Sequence, residues 1–186
     1  MPFTFKKLAI PDVVLVTPQV FQDSRGHFVE LYVEEPFAEF GIRRNFTRDA
    51  GSLSKRGVVR GLHYQLNPNA QAKVIRAVSG KIFVVAVDIR RGSPYFGRWV
   101  AETLSKDNKN ILWIPEGFAA GSLALEDNSE LGYKIAGKYS TQDARGILWN
   151  DDDIGIKWPI DVEPTISEKD EKNPPLKYAE INFEYK

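Results

Sequence analysis

Cysteine is absent from this 186-residue sequence, and histidine occurs only twice, as His27 and His63. The absence of cysteine excludes disulfide scaffolds, thiolate nucleophiles and cysteine-ligated zinc. Two histidines are too few for the multi-histidine metal sites of many small β-barrel enzymes. We therefore expect no metal site. A cysteine-free chain is compatible with a reducing compartment, and we predict a cytoplasmic protein.

The sequence also lacks an excess of one charge and any long apolar run. Lysines plus arginines number 25, as do aspartates plus glutamates, so no overall basic field attracts nucleic acid or an anionic membrane. No apolar run approaches the roughly 18 residues of a membrane-spanning helix, and the N-terminus lacks the ordered regions of a signal peptide. We expect a soluble protein with no nucleic-acid or membrane partner.

The sequence does contain a series of short apolar runs separated by turn residues. From Lys73 onwards, runs such as "KVIRAV", "KIFVVAVDI", "GRWVAETL", "ILWIP" and "SLALEDNSELGYKI" are broken by segments such as "RRGSP" and "KDNKN". Such runs at spacings of about 8–12 positions are typical of an all-β sandwich or barrel. No linker divides the chain, so we predict a single domain over residues 1–186.

Helical signals are scarce. The best candidate is "VEEPFAEFGI", in which Pro36 suits a first turn, Phe37 and Phe40 share a face, and Gly41 can end the helix. The C-terminal third mixes prolines, acids and aromatics without periodicity. We expect it to form ordered loops that wrap over the sandwich.

The stretch "VVRGLHYQ", residues 58 to 65, sets two polar side chains into an apparent strand. Strict alternation would place Arg60 and His63 on opposite faces. Gly61 lies between them, and a glycine inside a strand often marks a bulge that changes the facing of later residues. We predict that both side chains face the interior. The alternative is a histidine bound to a backbone carbonyl and an arginine paired at a rim, and these eight residues leave both open.

Several motifs, in order and spacing, resemble the dTDP-4-dehydrorhamnose 3,5-epimerase family. They are "FQDSRGHFVELY", "SLSKRGVVRGLHYQ", "QAKVIRAVSGKIF", "WIPEGFAAG", "YKIAGKYS", "GILWNDDDIGIKWP" and "ISEKD". The resemblance implies a cupin-type jelly roll and a homodimer that exchanges N-terminal strands. It also implies a nucleotide-sugar substrate in the barrel mouth and cofactor-independent acid–base chemistry next to a 4-keto group.

The resemblance implies a role for four catalytic residues. His63 matches the base, and Asp170 in "SEKD" matches the carboxylate that orients its ring. Lys73 matches the cation at the enolate oxygen. Tyr133 matches the acid that returns a proton from the opposite side of the sugar ring.

The resemblance also implies substrate-binding residues. Arg60 matches a ligand of the diphosphate, and Tyr139 matches the aromatic residue that stacks on the base. Arg25 and Glu30 match residues that the neighbouring subunit contributes to the nucleotide site. Phe28 is expected to border the same pocket.

This sequence departs from the family pattern at several positions. The usual "QDN" is replaced by "RDA", so Arg48 is expected to take over a phosphate contact while Ala50 offers no hydrogen bond. Val84 replaces an aspartate, Ala120 replaces a second histidine, and Ser122 replaces an aromatic residue. We hypothesise that the usual aspartate and histidine contact each other, because a buried carboxylate without a partner is costly.

Three functions remain open at this point. The first is a 3,5-epimerase of a dTDP-linked 4-keto-6-deoxyhexose. The second is a single-carbon epimerase or a 3,4-ketoisomerase acting on a related nucleotide sugar. The retained Tyr133 favours epimerisation, since inversion needs a proton donor on the opposite face. The third is a jelly roll that binds a nucleotide sugar without turning it over.

Overall fold

The structure, a computed structural model, describes residues 2–186 and consists mainly of antiparallel strands. In chain order the strands are β1 (Phe3–Lys7), β2 (Val14–Pro18), β3 (Val20–Asp23), β4 (Gly26–Val29), β5 (Phe46–Ser54), β6 (Val59–Gln65), β7 (Ala72–Ser79), β8 (Lys81–Asp88), β9 (Trp99–Ser105), β10 (Ile111–Ile114), β11 (Phe118–Ala124), β12 (Ser129–Ala136) and β13 (Ala144–Gly146). The helices are α1 (Glu34–Phe40), α2 (Glu168–Glu171) and a 3₁₀ turn at Leu176–Tyr178.

Two sheets form the sandwich. One has the order β1-β2-β10-β7-β12-β5 and the other β13-β6-β11-β8-β9, while β3 and β4 pair as a separate hairpin. When only the eight strands β5 to β12 are considered, one sheet has the order β5-β12-β7-β10 and the other has the order β6-β11-β8-β9. This is the strand order of a double-sheet jelly roll. The expected all-β jelly roll with a few short helices is confirmed.

The sequence signals located most strands correctly. The run "SLALEDNSELGYKI" is not continuous, because a turn containing Asn128, at a φ of 55°, separates β11 from β12. Helix α1 ends at Gly41, which adopts a left-handed φ of 104° that glycine tolerates well. Phe37 is fully buried and Phe40 stacks on Phe5 at 4.6 Å, so one aromatic face fixes α1 to the sheet.

Apolar residues form three layers. The inner layer lies between the sheets and includes Ile75, Val84 and Leu112. A second layer covers the outer face of the five-stranded sheet, where C-terminal residues including Ile181 and Phe183 pack. A third layer joins α1 to the outer face of the six-stranded sheet. Each sheet therefore packs against apolar residues on both of its faces, except where a cavity opens between the two sheets.

The β3–β4 hairpin stands apart from these layers. Among the described residues its strands pair only with each other, and Phe21 lies directly opposite Phe28. These two aromatic residues are 48% and 65% exposed, respectively. The hairpin thus presents apolar surface that the described residues of this chain leave uncovered.

Within residues 2–186, no helix combines the length and apolar character needed to cross a membrane.

Candidate active site

A cavity of about 300 Å³ opens between the two sheets. Its walls come from β5, β7 and β12 on one side and from β6, β8 and β11 on the other. The lining includes four basic side chains and no carboxylate among the described residues: Arg48, Ala50, Ser52, Arg60, His63, Gln71, Lys73, Ile75, Val84, Ala120, Gly121, Ser122, Leu131, Tyr133 and Ile135. Its charge therefore suits an anionic ligand.

His63 and Asp170 form the closest polar contact at the cavity wall. His63 Nε2 lies 2.7 Å from Asp170 Oδ1, and Asp170 Oδ2 accepts a hydrogen bond from the backbone N–H of Gly61 at 3.1 Å. The side chain of Asp170 is 6% exposed. Burial raises its pKa, but the hydrogen bonds and charge of His63, with help from Gly61, hold the pKa below its ordinary value. Asp170 is thus ionised at neutral pH and fixes one ring nitrogen of His63.

Asp170 owes its position to the short helix α2. Ser167 caps that helix, with its hydroxyl accepting a hydrogen bond from the backbone N–H of Asp170 at 3.2 Å. The cap stabilises the first turn of α2, and the carboxylate of Asp170 on that turn contacts Gly61 and His63 of β6.

A bulge at Gly61 directs Arg60 and His63 to the same cavity, as predicted. Arg60 pairs with Ser122 of β11, and His63 pairs with Ala120. The two β6 residues are three positions apart, whereas their partners on β11 are only two positions apart, so β6 has one extra residue. Gly61 has a φ of 122°, and a Cβ atom there would lie 2.7 Å from the Cα of Gly121. Only glycine fits this conformation and this close approach.

Arg60 lies at the rim of the cavity. Its Nε donates to Ser54 Oγ at 3.0 Å, and one terminal nitrogen donates to the carbonyl of Leu53 at 3.1 Å. Neither partner is charged, so the guanidinium keeps its full charge for a ligand. The rim pairing anticipated for the arginine is present, whereas the histidine binds a carboxylate rather than a backbone carbonyl.

The facing wall carries Tyr133 and Lys73. Tyr133 hydroxyl lies 3.0 Å from Ser52 Oγ. Burial raises the pKa of Tyr133 above its ordinary value, against the opposing effects of Ser52 and the Arg60 charge. The phenol therefore keeps its proton at neutral pH. His63 and Tyr133 belong to different sheets and line one cavity, so a bound ring can meet one group on each face.

Lys73 has an unusual electrostatic environment. Burial of its ammonium and the nearby Arg48 lower the pKa of Lys73 to about 8. Strand β12 lies between β5 and β7, and its residue Ile135 pairs with Arg48 on β5 and with Lys73 on β7. The Nε atom of Arg48 is buried and has no hydrogen-bond partner within residues 2–186.

The remaining predicted binding residues lie outside the cavity lining. Tyr139 is 55% exposed at the cavity mouth, with the Arg48 guanidinium 5.1 Å from its ring centre. Arg25 and Phe28 lie on the exposed β3–β4 hairpin, with Arg25 paired to Asp23 at 2.6 Å. Glu30 follows this hairpin and does not line the cavity. The chain does not bring these last three to its own site.

Two of the departures from the family pattern, Val84 and Ala120, form one apolar patch of the cavity. Val84 lies opposite Ser122, and Ala86 lies opposite Ala120. Val84 and Ala120 are thus diagonal neighbours on one face of the sheet, a spacing that long side chains bridge. This arrangement is consistent with the hypothesis that an aspartate and a histidine at these positions would touch.

Two polar residues of the cavity were not predicted from the sequence. Ser52 and Gln71 line the cavity, and Gln71 Nε2 donates to the carbonyl of Lys138 at 3.4 Å. The alternation in "FTRDAGSLS" places Ser52 on the same strand face as Arg48 and Ala50, which was a usable signal. No such pattern marks Gln71, which precedes its strand. Across residues 2–186, no three His, Asp or Glu side chains gather where they would hold a metal ion.

Comparisons with known proteins identify the family of this chain. The profile of the family described as dTDP-4-dehydrorhamnose 3,5-epimerase matches residues 7–178. A dTDP-4-dehydrorhamnose 3,5-epimerase of Shigella flexneri is 50% identical over 165 residues, covering 88% of this chain and 91% of the relative.

Two solved structures are also similar. The dTDP-6-deoxy-D-glucose-3,5-epimerase of Legionella pneumophila, in complex with dTDP-4-keto-L-rhamnose, superposes with a TM-score of 0.92 at 36% identity, covering 95% of this chain and 94% of the other. ChmJ, a 3'-monoepimerase from Streptomyces bikiniensis in complex with dTDP-quinovose, superposes with a TM-score of 0.85 at 33% identity. The match covers 91% of this chain and 86% of ChmJ. This chain belongs to the dTDP-4-dehydrorhamnose 3,5-epimerase family.

Proposed function

We propose that this protein is a dTDP-4-dehydrorhamnose 3,5-epimerase, which converts dTDP-4-keto-6-deoxyglucose to dTDP-4-keto-rhamnose. The observation that carries the proposal is the placement of His63 and Tyr133 on opposite walls of one basic cavity. Inversion at carbon needs a base on one face of the ring and an acid on the other. A site for binding alone has no need of this arrangement.

The first step is removal of a proton from a carbon next to the ketone. With Asp170 on Nε2, the Nδ1 atom of His63 is the free nitrogen and takes the proton. The C–H electron pair forms a carbon–carbon double bond, and the carbonyl electrons move to oxygen to give an enolate. The Lys73 ammonium donates a hydrogen bond to that oxygen, where a buried cation stabilises the developing charge.

The second step returns a proton from the other face. Tyr133 donates its hydroxyl proton to the same carbon, the enolate electrons reform the ketone, and the configuration is inverted. The raised pKa of Tyr133 keeps the hydroxyl protonated between turnovers. Solvent then reprotonates Tyr133 and accepts the proton held by His63. The same groups serve the second carbon after the ring has shifted in the cavity.

The nucleotide part of the substrate is assigned to the cavity mouth. Arg60 at the rim binds the diphosphate, because a guanidinium fork suits phosphate oxygens. Tyr139 is exposed at the mouth and offers a ring face for the base.

We include a homodimer in the proposal. Arg25, Glu30 and Phe28 fall outside the cavity of their own chain, and the hairpin that carries two of them exposes paired aromatic residues. A second copy that covers the hairpin would receive these side chains at its own site. Size-exclusion chromatography with light scattering tests the dimer.

A mixing experiment tests the exchange of residues between subunits. Arg25→Ala and His63→Ala variants are each expected to be inactive, whereas a mixture unfolded and refolded together is expected to regain activity. In a mixed dimer, one site has both an intact His63 and the partner's intact arginine. A mixture that stays inactive while forming mixed dimers would remove Arg25 from the partner's site. A cytoplasmic location remains a prediction from the composition.

Proton NMR of dTDP-4-keto-6-deoxyglucose in D2O tests the reaction itself. Deuterium is expected at C3 and C5, with a rhamno-configured ketone trapped by reduction, and a His63→Ala variant is expected to lose both exchanges. The apolar patch of Val84 and Ala120 supports one alternative, a single-carbon epimerase. Exchange at one carbon only would select that alternative. Absence of any exchange would reject this substrate.

A further inference from the structure

Arg48 is a cation that takes part in no ion pair within residues 2–186. Its Nε atom is buried without a hydrogen-bond partner, and no carboxylate is found among the residues that line the cavity. The next residue, Asp49, points to the opposite face of β5 and binds Lys134 at 2.9 Å. A buried donor that stays unpaired costs free energy, and such a group in a cavity is commonly paired by a ligand.

Arg48 lies between two parts of the proposed site. On one side, its guanidinium is stacked on Tyr139, 5.1 Å from the ring centre. An aromatic ring has two faces, so the other face of Tyr139 stays available to a base. On the other side, Arg48 and Lys73 share one row of the sheet, separated only by Ile135. Two strand spacings correspond to about 10 Å between backbones, and both long side chains point into the cavity.

We propose that Arg48 couples nucleotide binding to the charge on Lys73: it binds the diphosphate of the substrate, and that anion then favours the protonated ammonium at the reacting ketone. The inference rests on the proposed function, because it assigns the diphosphate and the ketone to this cavity. It adds a residue that links substrate recognition to the group that stabilises the enolate.

The charges around Lys73 make this coupling directional. The charged or titratable groups that share the cavity are Arg48 on β5, Arg60 and His63 on β6, and Tyr133 on β12, while β8, β10 and β11 present uncharged residues. In the free protein, burial of the ammonium and, to a lesser extent, the Arg48 charge lower the pKa of Lys73 to about 8. A diphosphate adds negative charge to the same cavity, which offsets the Arg48 contribution and favours the protonated ammonium.

The consequence is a preference for the correct substrate. A sugar without its diphosphate leaves Lys73 partly neutral above pH 8 and is a poor substrate. A nucleotide sugar restores the full positive charge just where the enolate forms. This is binding energy from a remote part of the substrate that acts at the reacting centre.

Calorimetric titration of dTDP tests the coupling without turnover. Binding is measured at pH 8 in two buffers of different ionisation enthalpy, which gives the number of protons taken up. A group with a pKa of about 8 is half protonated at that pH, so the wild-type protein is expected to take up about half a proton per site. The last phosphate pKa of dTDP is near 6, so the ligand itself neither takes up nor releases protons when it binds at pH 8.

Four variants assign the effect. Lys73→Met is expected to lose the uptake. Arg48→Gln is expected to reduce it at least twofold and to weaken dTDP binding about tenfold or more, whereas Arg48→Lys keeps most of it. Arg44→Gln is the matched control, because Arg44 pairs with Glu116 and does not line the cavity.

The outcomes separate this inference from the function on which it rests. Tight binding without proton uptake, or uptake that Arg48→Gln leaves unchanged, would overturn the coupling and leave the epimerase proposal intact. Failure of the wild-type protein to bind dTDP at all would overturn both. Uptake lost in Lys73→Met and halved in Arg48→Gln supports the coupling.

Discussion

The Nε2 atom of His63 lies 2.7 Å from Oδ1 of Asp170, although 107 positions separate the two residues. The contact joins strand β6 of the cavity wall to a short helix in the C-terminal segment. An ionised carboxylate at this distance fixes the ring orientation and stabilises the imidazolium that forms when His63 takes a proton. The base therefore depends on a segment that contributes little else to the cavity.

Asp170→Asn tests this dependence. The amide is nearly the same size but removes the negative charge, so we expect turnover to fall by about 10²–10⁴-fold while dTDP binding changes little. Steady-state kinetics and calorimetry measure the two effects. Glu168→Gln, an exposed change in the same helix, is the control and is expected to leave both unchanged. Normal turnover in Asp170→Asn would show that His63 needs no charged partner.

Local sequence signals predicted those features that neighbouring residues determine. The short apolar runs predicted β7 to β10, and Gly61 predicted the bulge in β6. The strands and the bulge could be predicted because each depends on side chains within one strand. Contacts across the sheets depend on register instead. Arg48 and Lys73 lie on either side of Ile135 of β12, and nothing in either segment alone indicates this. The partner of His63 was identified only through the family motif "SEKD".

Lys73→Met is expected to increase stability while abolishing turnover. The pKa of Lys73 is lowered to about 8, so the unfolded chain binds this proton more tightly than the folded protein. Stability therefore rises with pH between about 8 and the ordinary lysine value of about 10.4. Methionine removes the cost of keeping a charged ammonium buried in the folded protein. We therefore expect the free energy of unfolding at pH 7 to rise by about 1–3 kcal/mol.

The pH dependence distinguishes this explanation from better packing by methionine. Denaturant unfolding at pH 7, 8, 9 and 10 is expected to show the gap between Lys73→Met and wild type shrinking as pH rises. Lys138→Met, outside the cavity lining, is the control. A gap that stays constant over this range would mean that the ammonium is not destabilised by burial.

Gly61→Ala tests the bulge that places both Arg60 and His63 in the cavity. The new Cβ would lie 2.7 Å from the Cα of Gly121, at a φ that alanine rarely adopts. Backbone strain and overpacking each cost about 1–3 kcal/mol, so we expect the free energy of unfolding to fall by about 2–5 kcal/mol.

Gly92→Ala separates the two costs. Gly92 also has a positive φ, of 79°, but nothing lies within 4 Å of an added Cβ atom. Its substitution is expected to cost only the strain, about 1–3 kcal/mol. Chemical denaturation of both variants gives the comparison. Equal losses would mean that the close approach of Gly61 to β11 is readily relaxed.

The apolar patch of Val84 and Ala120 permits a test of whether a carboxylate and a histidine were lost together. Val84 is 1% exposed, so Val84→Asp alone buries an unpaired charge and is expected to lower the free energy of unfolding by about 3–5 kcal/mol. Adding Ala120→His supplies a partner from the diagonal position. We expect the double variant to recover about 0.5–3 kcal/mol relative to the sum of the single changes.

Ala120→Gln combined with Val84→Asp is the matched control, because glutamine fills similar space without a positive charge. Recovery with histidine but not with glutamine, measured by denaturant unfolding at pH 6, identifies an ion pair. Recovery that persists equally at pH 9 would instead indicate a neutral hydrogen bond, since an imidazole without a proton carries no charge. If neither partner recovers stability, the side chains do not meet, and the two losses in this chain are independent.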